Sequence, residues 1–152
     1  MLARTHLAAA LLGGLIFEPL HLMPDQRFLY YFLIMIAALL PDLDHPGSTL
    51  GHQFPFASFV FGKLFGHRGL FHALMVPLLL FWLSNHYFIP AVGMAVLVGM
   101  LSHLLCDSLT TQGVNLLHPF TDFRVRGIIP TGGVLETLFF SLLLIAIGWK
   151  LF

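Results

Sequence analysis

The sequence predicts an all-α protein: a polytopic membrane helix bundle of about five membrane helices plus one interfacial amphipathic helix. Three observations carry that prediction. Only 9% of the 152 residues are charged and 58% are hydrophobic, whereas a soluble domain carries about 25% charged residues. Mean hydropathy is +0.90, so the polar surface of a water-facing globule is missing. The apolar residues also gather into long runs, and from Leu70 to Cys106 there is no Asp, Glu, Lys or Arg. A chain of this length fits one compact membrane domain over residues 1–152.

A helix that crosses a bilayer needs about 20 mostly apolar residues, with about 17 as the lower limit. Five runs qualify or come close. The first extends from about Thr5 to Leu22 and is short. Arg4 ahead of it resembles the start of a signal peptide, but Glu18-Pro19 and bulky neighbours give no small-x-small cleavage site, so it is read as a first helix. The second extends from about Arg27 to Pro41. The third covers Leu70 to about Asn85, with Pro77 as a kink position. Ser84-Asn85-His86 reads as the turn into the fourth, Ile89 to about Leu109, and the fifth covers Gly133 to Phe152.

Two connections are longer. Asp42 to Gly69 contains Pro46, Gly47, Gly51 and Pro55, followed by FPFASFVFGKLFG, expected to lie as an amphipathic helix on the membrane surface. Asp107 to Gly132, with TTQG, HPF and PTGG, reads as ordered loop. There is no internal repeat and no low-complexity segment.

With the N-terminus inside, five spans put Arg4, Lys63, Arg68, Arg124 and Arg126 on the inner face and Arg27 and Lys150 on the outer. The excess of basic residues on cytoplasmic loops favours that orientation. Seven basic and seven acidic residues balance, which gives no electrostatic case for nucleic acid. The single Cys106 excludes an internal disulfide.

The same topology gathers the histidines and acids on one face. His6 opens the first helix, Asp42, Asp44 and His45 close the second, and His67 and His72 straddle the start of the third. His103 and Asp107 end the fourth, four residues apart and on one helix face. Glu136 lies one turn into the fifth. Ionisable groups in membrane segments are costly and tend to face a cavity and mark function. His118 in LLHPF, and His52 and His86, stand apart from this set.

Imidazole and carboxylate without a thiolate cluster suit zinc, with manganese or iron also compatible, and one to three ions. Paired ions clamp the attacking and leaving oxygens of a phosphoester, and a bound ion brings water towards hydroxide at neutral pH. Arg68 beside free backbone N–H groups suits a phosphate, with Lys63 as a second substrate-binding candidate. Glu136, Asp44 and Asp107 are the carboxylates available to orient imidazoles or act as general base.

PDLDHPGS (41–48), HRGLFHAL (67–74) and SHLLCDSLTTQG (102–113), with an early Thr5-His6 pair, resemble the YdjM-like family of bacterial inner-membrane proteins. Its members are grouped by inference as membrane-bound metal-dependent hydrolases. The resemblance covers nearly the whole chain. It implies His6, Asp42, Asp44, His45, His67, His72, His103 and Asp107 as metal ligands, with Arg68 as a companion. A distant similarity to zinc-dependent phospholipase C and P1-type nucleases points by analogy to phosphoester chemistry.

The expected function is therefore hydrolysis of a lipid-linked or amphiphilic ester, most plausibly a phosphoester, by metal-activated water at the cytoplasmic face of a bacterial inner membrane. Its expected partners are the bilayer and a lipid substrate. The alternatives are a non-catalytic, metal-stabilised membrane protein and a metal transporter, although transport favours ligands near the midplane and these crowd one end. Bis-histidine haem between His72 and His103 is a further alternative.

Overall fold

The structure is a computed structural model and describes residues 1–18, 24–65, 69–87 and 90–152. The described residues form seven α-helices and two short 3₁₀ turns, without a strand. They are α1 (Ala3–Ile16), α2 (Pro24–Leu39), α3 (Thr49–Gln53), α4 (Pro55–Phe65), α5 (Met75–Tyr87), α6 (Pro90–Ser108) and α7 (Val134–Leu151); the 3₁₀ turns cover Leu40–Asp44 and Leu70–His72.

Among the described residues, three stretches are long and apolar enough to cross a membrane: Gln26–Asp44, Pro90–Ser108 and Val134–Leu151, with Ala3–Ile16 a shorter apolar helix. The all-α membrane-helix class expected from sequence holds, with two of the five expected spans described as shorter helices. Helix α1 has 14 residues and α5 has 13, and at about 1.5 Å per residue neither reaches the roughly 30 Å of a hydrocarbon core.

Prolines account for most of the shifted boundaries. Pro41 stops α2, because the residue before a proline is driven out of helical backbone, and the chain tightens into the 3₁₀ turn. Pro77 lies in the first turn of α5, where its missing N–H costs nothing, so it starts that helix instead of kinking it. The expected turn at Ser84-Asn85-His86 is helical, since α5 continues to Tyr87. The expected single interfacial helix is two, divided at Phe54 with Pro55 opening α4.

Helices α1, α5 and α7 start at the end of the bundle where α2 and α6 finish. His6 of α1 stacks on His103 of α6, whose ring bonds Ala38 of α2, and Thr5 bonds Glu136 of α7. The packing depends on small residues. Ala10, Tyr30, Ile34, Ala38, Ala95 and Val98 form the core between α1, α2 and α6. A Cβ on Gly99 would lie 2.6 Å from the Ile34 carbonyl oxygen, so α2 and α6 touch backbone to backbone, as small residues allow in membrane helices.

The segment after α6 is ordered loop, as expected. Thr110 and Val114 form isolated bridges with Ile129 and Val125. The Thr110 hydroxyl donates to the Asp107 carbonyl at 2.7 Å, and Leu74 N–H donates to the Leu116 carbonyl at 2.9 Å. The loop thereby ties the end of α6 to the start of α5, and so fixes the two segments that carry Asp107 and His72.

Candidate metal centre

Each chemical group reaches the centre from a helix end. His6 lies in the first two turns of α1, and His103 and Asp107 in the last two turns of α6. His72 closes the second 3₁₀ turn, and Asp42 and Asp44 come from the first. Two residues of a 3₁₀ turn spaced two apart point in different directions. Asp44 is accordingly buried, whereas Asp42 keeps 21% of its side chain exposed. Ser48 pins the turn, donating its hydroxyl to the Asp42 carbonyl at 2.6 Å while capping α3 through Gly51 N–H.

Asp107 is central. Its Oδ1 lies 3.5 Å from His6 Nε2, and its Oδ2 lies 3.6 Å from His72 Nε2 and 3.7 Å from His103 Nε2. His103 Nε2 is also 3.8 Å from Asp42 Oδ1. The α-ammonium of Met1 meets Asp107 Oδ1 at 2.8 Å. The rings of His6 and His103 stack with centroids 3.8 Å apart, and His72 meets His103 edge-on.

The tautomers follow from the partners. His103 Nδ1 donates to the Ala38 carbonyl at 2.7 Å, because a carbonyl can only accept, and this leaves Nε2 as the ring's lone-pair donor. His72 Nδ1 faces Asp44 Oδ2 at 3.3 Å, which turns its Nε2 towards Asp107. A metal-binding histidine is characteristically oriented in this way, its far nitrogen held by a carboxylate or a backbone carbonyl.

The centre suits a cation. Both ring nitrogens of His6 and His72, together with His103 Nε2, are buried without a hydrogen-bond partner, although nine in ten or more buried polar groups have one. Two sets of donor atoms lie within 4.8 Å of one another: His6, Asp42 and His103; and His72, His103 and Asp107. A tetrahedral zinc ion with bonds of about 2.0–2.1 Å holds its ligands about 3.3–3.5 Å apart, close to the spacings observed. Oxygen and imidazole donors without thiolate suit zinc, manganese or iron.

Six of the eight expected ligands thus stand together or next to the cluster: His6, Asp42, Asp44, His72, His103 and Asp107. His45 does not join them; its side chain is exposed beyond the turn, against Gly47. His67 and Arg68 lie outside the described residues. Lys63 is exposed, with its ammonium 5.9 Å from the Phe59 ring centroid. Glu136 is buried but stands in neither donor set. Its Oε1 accepts from Leu2 N–H at 2.6 Å and the Thr5 hydroxyl at 2.8 Å, and its Oε2 accepts from Gly132 N–H at 2.6 Å. Glu136 thereby anchors the turn that carries His6. His118 lines an apolar pocket against α5, away from the cluster. The Ala38 carbonyl carries no sequence signal, since every residue has one. The Thr5–Glu136 bond carries no sequence signal either, since it joins residues far apart in the chain.

A family profile described as "YdjM inner membrane protein" matches residues 1–151. The chain belongs to the YdjM family. It is 40% identical over 106 residues to the inner membrane protein YdjM of Escherichia coli, a match covering 65% of this chain and 54% of that one. Over 93 residues it is 40% identical to YvsG of Bacillus subtilis, covering 60% and 57%. Over 102 residues it is 37% identical to the inner membrane protein YbcI of Escherichia coli, covering 61% and 55%. The matched region spans about half the length of these relatives. No solved structure matches the chain.

Proposed function

We propose that this YdjM-family protein is a membrane-embedded, metal-dependent hydrolase of a lipid-linked or amphiphilic phosphoester, with its centre at the cytoplasmic end of the bundle. The observation that carries the reading is the set of unpartnered imidazole nitrogens buried around one carboxylate. Metal-free, such an arrangement leaves several polar atoms desolvated without compensation. A bound cation resolves that cost.

A divalent ion would supply Lewis acidity and water of lowered pKa. His72, His103 and Asp107, with His6 and Asp42, would hold it. The Ala38 carbonyl fixes His103 in the tautomer that presents Nε2, and Asp44 Oδ2 stands 3.3 Å behind His72 Nδ1. Asp42 has the most accessible carboxylate of the cluster and stands where it could take a proton from water. Arg68 remains the candidate for binding the phosphate.

Two further observations support the details. Arg4, Arg124 and Arg126 belong to the end that holds the cluster and Lys150 to the far end, which by the positive-inside rule supports a cytoplasmic cluster. An apolar trough of about 380 Å³, lined by Gly13, Met94, Leu97, Leu101 and Leu105 among others, lies between α1 and α6, beside the helix that carries two of the donors. It offers a hydrocarbon chain a place along α6.

Elemental analysis of the purified protein in detergent, beside His103→Ala, tests the reading. The wild type should carry stoichiometric divalent metal and release phosphate or headgroup from some member of a panel of phospholipids and lipid phosphates. The variant should lose both. One observation favours a second reading, a metal-stabilised protein without catalysis: every donor but Asp42 is buried. If metal is present, the panel stays inert and His103→Ala lowers only the unfolding midpoint, the second reading replaces the first.

A further inference from the structure

We infer that the loop segment 117–128 anchors the cluster end of the bundle to anionic phospholipid. Its apolar side chains enter the acyl boundary of the leaflet at that end, and Arg124 and Arg126 take headgroup phosphates. The inference needs neither the metal nor hydrolysis and goes beyond the proposed function.

The segment is inside out for a loop in water. Its polar groups turn inward: the Asn115 side-chain amide donates to the Thr121 carbonyl, and Asn115 Oδ1 accepts from Leu117 N–H at 3.2 Å. Val114 and Val125 exchange both backbone bonds, at 3.0 and 2.9 Å, and Gly127 N–H donates to the Thr110 carbonyl at 3.0 Å. On this pinned backbone Phe120, Phe123 and Ile128 are nonetheless 79%, 72% and 81% exposed. Leu117 and Phe120 also line an apolar pocket of about 490 Å³ with Met75, Leu78 and Leu79 of α5, all of them exposed. A continuous exposed apolar surface of this kind marks an interaction site.

Depth identifies the partner. Leu74 N–H donates to the Leu116 carbonyl at 2.9 Å, which holds the segment against the start of α5. The pocket reaches Leu79, four residues beyond Met75, or about 6 Å along the helix. Interfacial elements sink their apolar side about 5–10 Å into the boundary between headgroups and acyl chains.

The charges fit the same partner. Arg124 and Arg126 flank the bridged Val125 and are exposed, and among the described residues neither is ion-paired. Gly113 leaves no room for a Cβ beside the Arg126 stem, so that stem lies against the loop backbone. A long basic side chain laid over apolar surface keeps its head at the water's edge, the level of lipid phosphates, which a guanidinium binds through paired hydrogen bonds. Asp122 is the single acid of the segment against two arginines.

The test uses the full-length chain in nanodiscs of phosphatidylcholine, with or without phosphatidylglycerol. A nitroxide is attached at Phe123→Cys or at Ile128→Cys; Cys106 is buried and stays unlabelled. Power-saturation electron paramagnetic resonance reads contact with oxygen, which concentrates in lipid, and with a nickel chelate, which stays in water. Oxygen contact should exceed nickel contact at both positions. Nickel contact exceeding oxygen contact overturns the anchor, and so does contact with neither, which would mean that a protein surface covers the loop. A second arm measures the preference for phosphatidylglycerol over phosphatidylcholine among lipids retained by the chain in native mass spectrometry. Arg124→Gln and Arg126→Gln should each lower that preference about fivefold, with helical content unchanged by circular dichroism, while Asp122→Asn should not lower it. Added salt should lower the wild-type preference without any substitution. A wild type without the preference, or a preference that neither salt nor the substitutions move, overturns the role given to the arginines.

Discussion

The two ends of the bundle treat buried polarity differently. At the far end Glu18 is met on both oxygens, by Arg27 Nε at 2.7 Å and by the Tyr31 hydroxyl at 2.9 Å, and Tyr30 donates to the Phe17 carbonyl. This is polar chemistry in the service of structure: it fastens the end of α1 to the start of α2. At the near end, imidazole nitrogens are buried without hydrogen-bond partners around Asp107. Both ends are built from acids, rings and one or two cations, so composition does not separate them. What separates them is how closely a charged partner stands: Glu18 Oε1, itself without a hydrogen bond, has Arg27 Nε at 2.7 Å, whereas the imidazole nitrogens at the near end stand 3.3–3.8 Å from their carboxylates. Where the partner is close, the cluster is a fastening; where it is not, the buried His and Asp groups could hold a metal ion.

That contrast can be broken experimentally. The largest effect is expected from Asp107→Ala, which removes the carboxylate that faces His6, His72 and His103 together: metal content should fall below detection by elemental analysis, and lipid phosphoester hydrolysis should disappear with it. Retained metal would show that the unpartnered nitrogens are not a metal centre. Asp44→Asn should act more mildly, because it weakens only the group that orients His72. Metal affinity should drop about 10–100-fold in a chelator competition assay, with helical content unchanged by circular dichroism. Glu18→Gln should have the smallest effect and sharpen the comparison from the other side. Metal content should be unchanged, and because Arg27 is 61% exposed, unfolding should shift by less than about 1 kcal/mol. A loss of metal from Glu18→Gln would mean that the two ends are coupled.

The candidate site was legible in sequence where chemistry and chain position coincide. His103 and Asp107 share a helix face by spacing alone, and the alternation of spans was enough to bring His6, Asp42, Asp44 and His72 to the same end. His45 shows the limit of that approach. Next to Asp44 in a motif dense with donors, it reads as a ligand, yet the chain leaves the 3₁₀ turn at His45 in extended backbone and its ring points outward. A one-residue change of direction decides it, and composition does not encode direction. Glu136 shows another limit. Its burial was foreseeable, but its three N–H and O–H donors come from residues 2, 5 and 132, far apart in the chain, so its role as an anchor depends on α1 and α7 having packed. Helix boundaries shifted for a local reason: prolines at 41, 55 and 77 lie in the first turns of new elements inside runs that hydropathy treats as continuous.

By itself the sequence determined the class of environment, because 9% charged residues cannot surround a water-facing core, and it determined which end of each helix carries imidazole or carboxylate. Only the tertiary structure decided which oxygen of Asp107 faces which ring, that Ala38 sets the tautomer of His103 while Asp44 stands behind His72, and that Glu136 holds the His6 turn. The physical reason is the range of the forces involved. Transfer of a helix into lipid sums over some twenty side chains and tolerates errors in any one of them. Coordination and hydrogen bonding are set within a few tenths of an ångström, by atoms that only the packed bundle brings together.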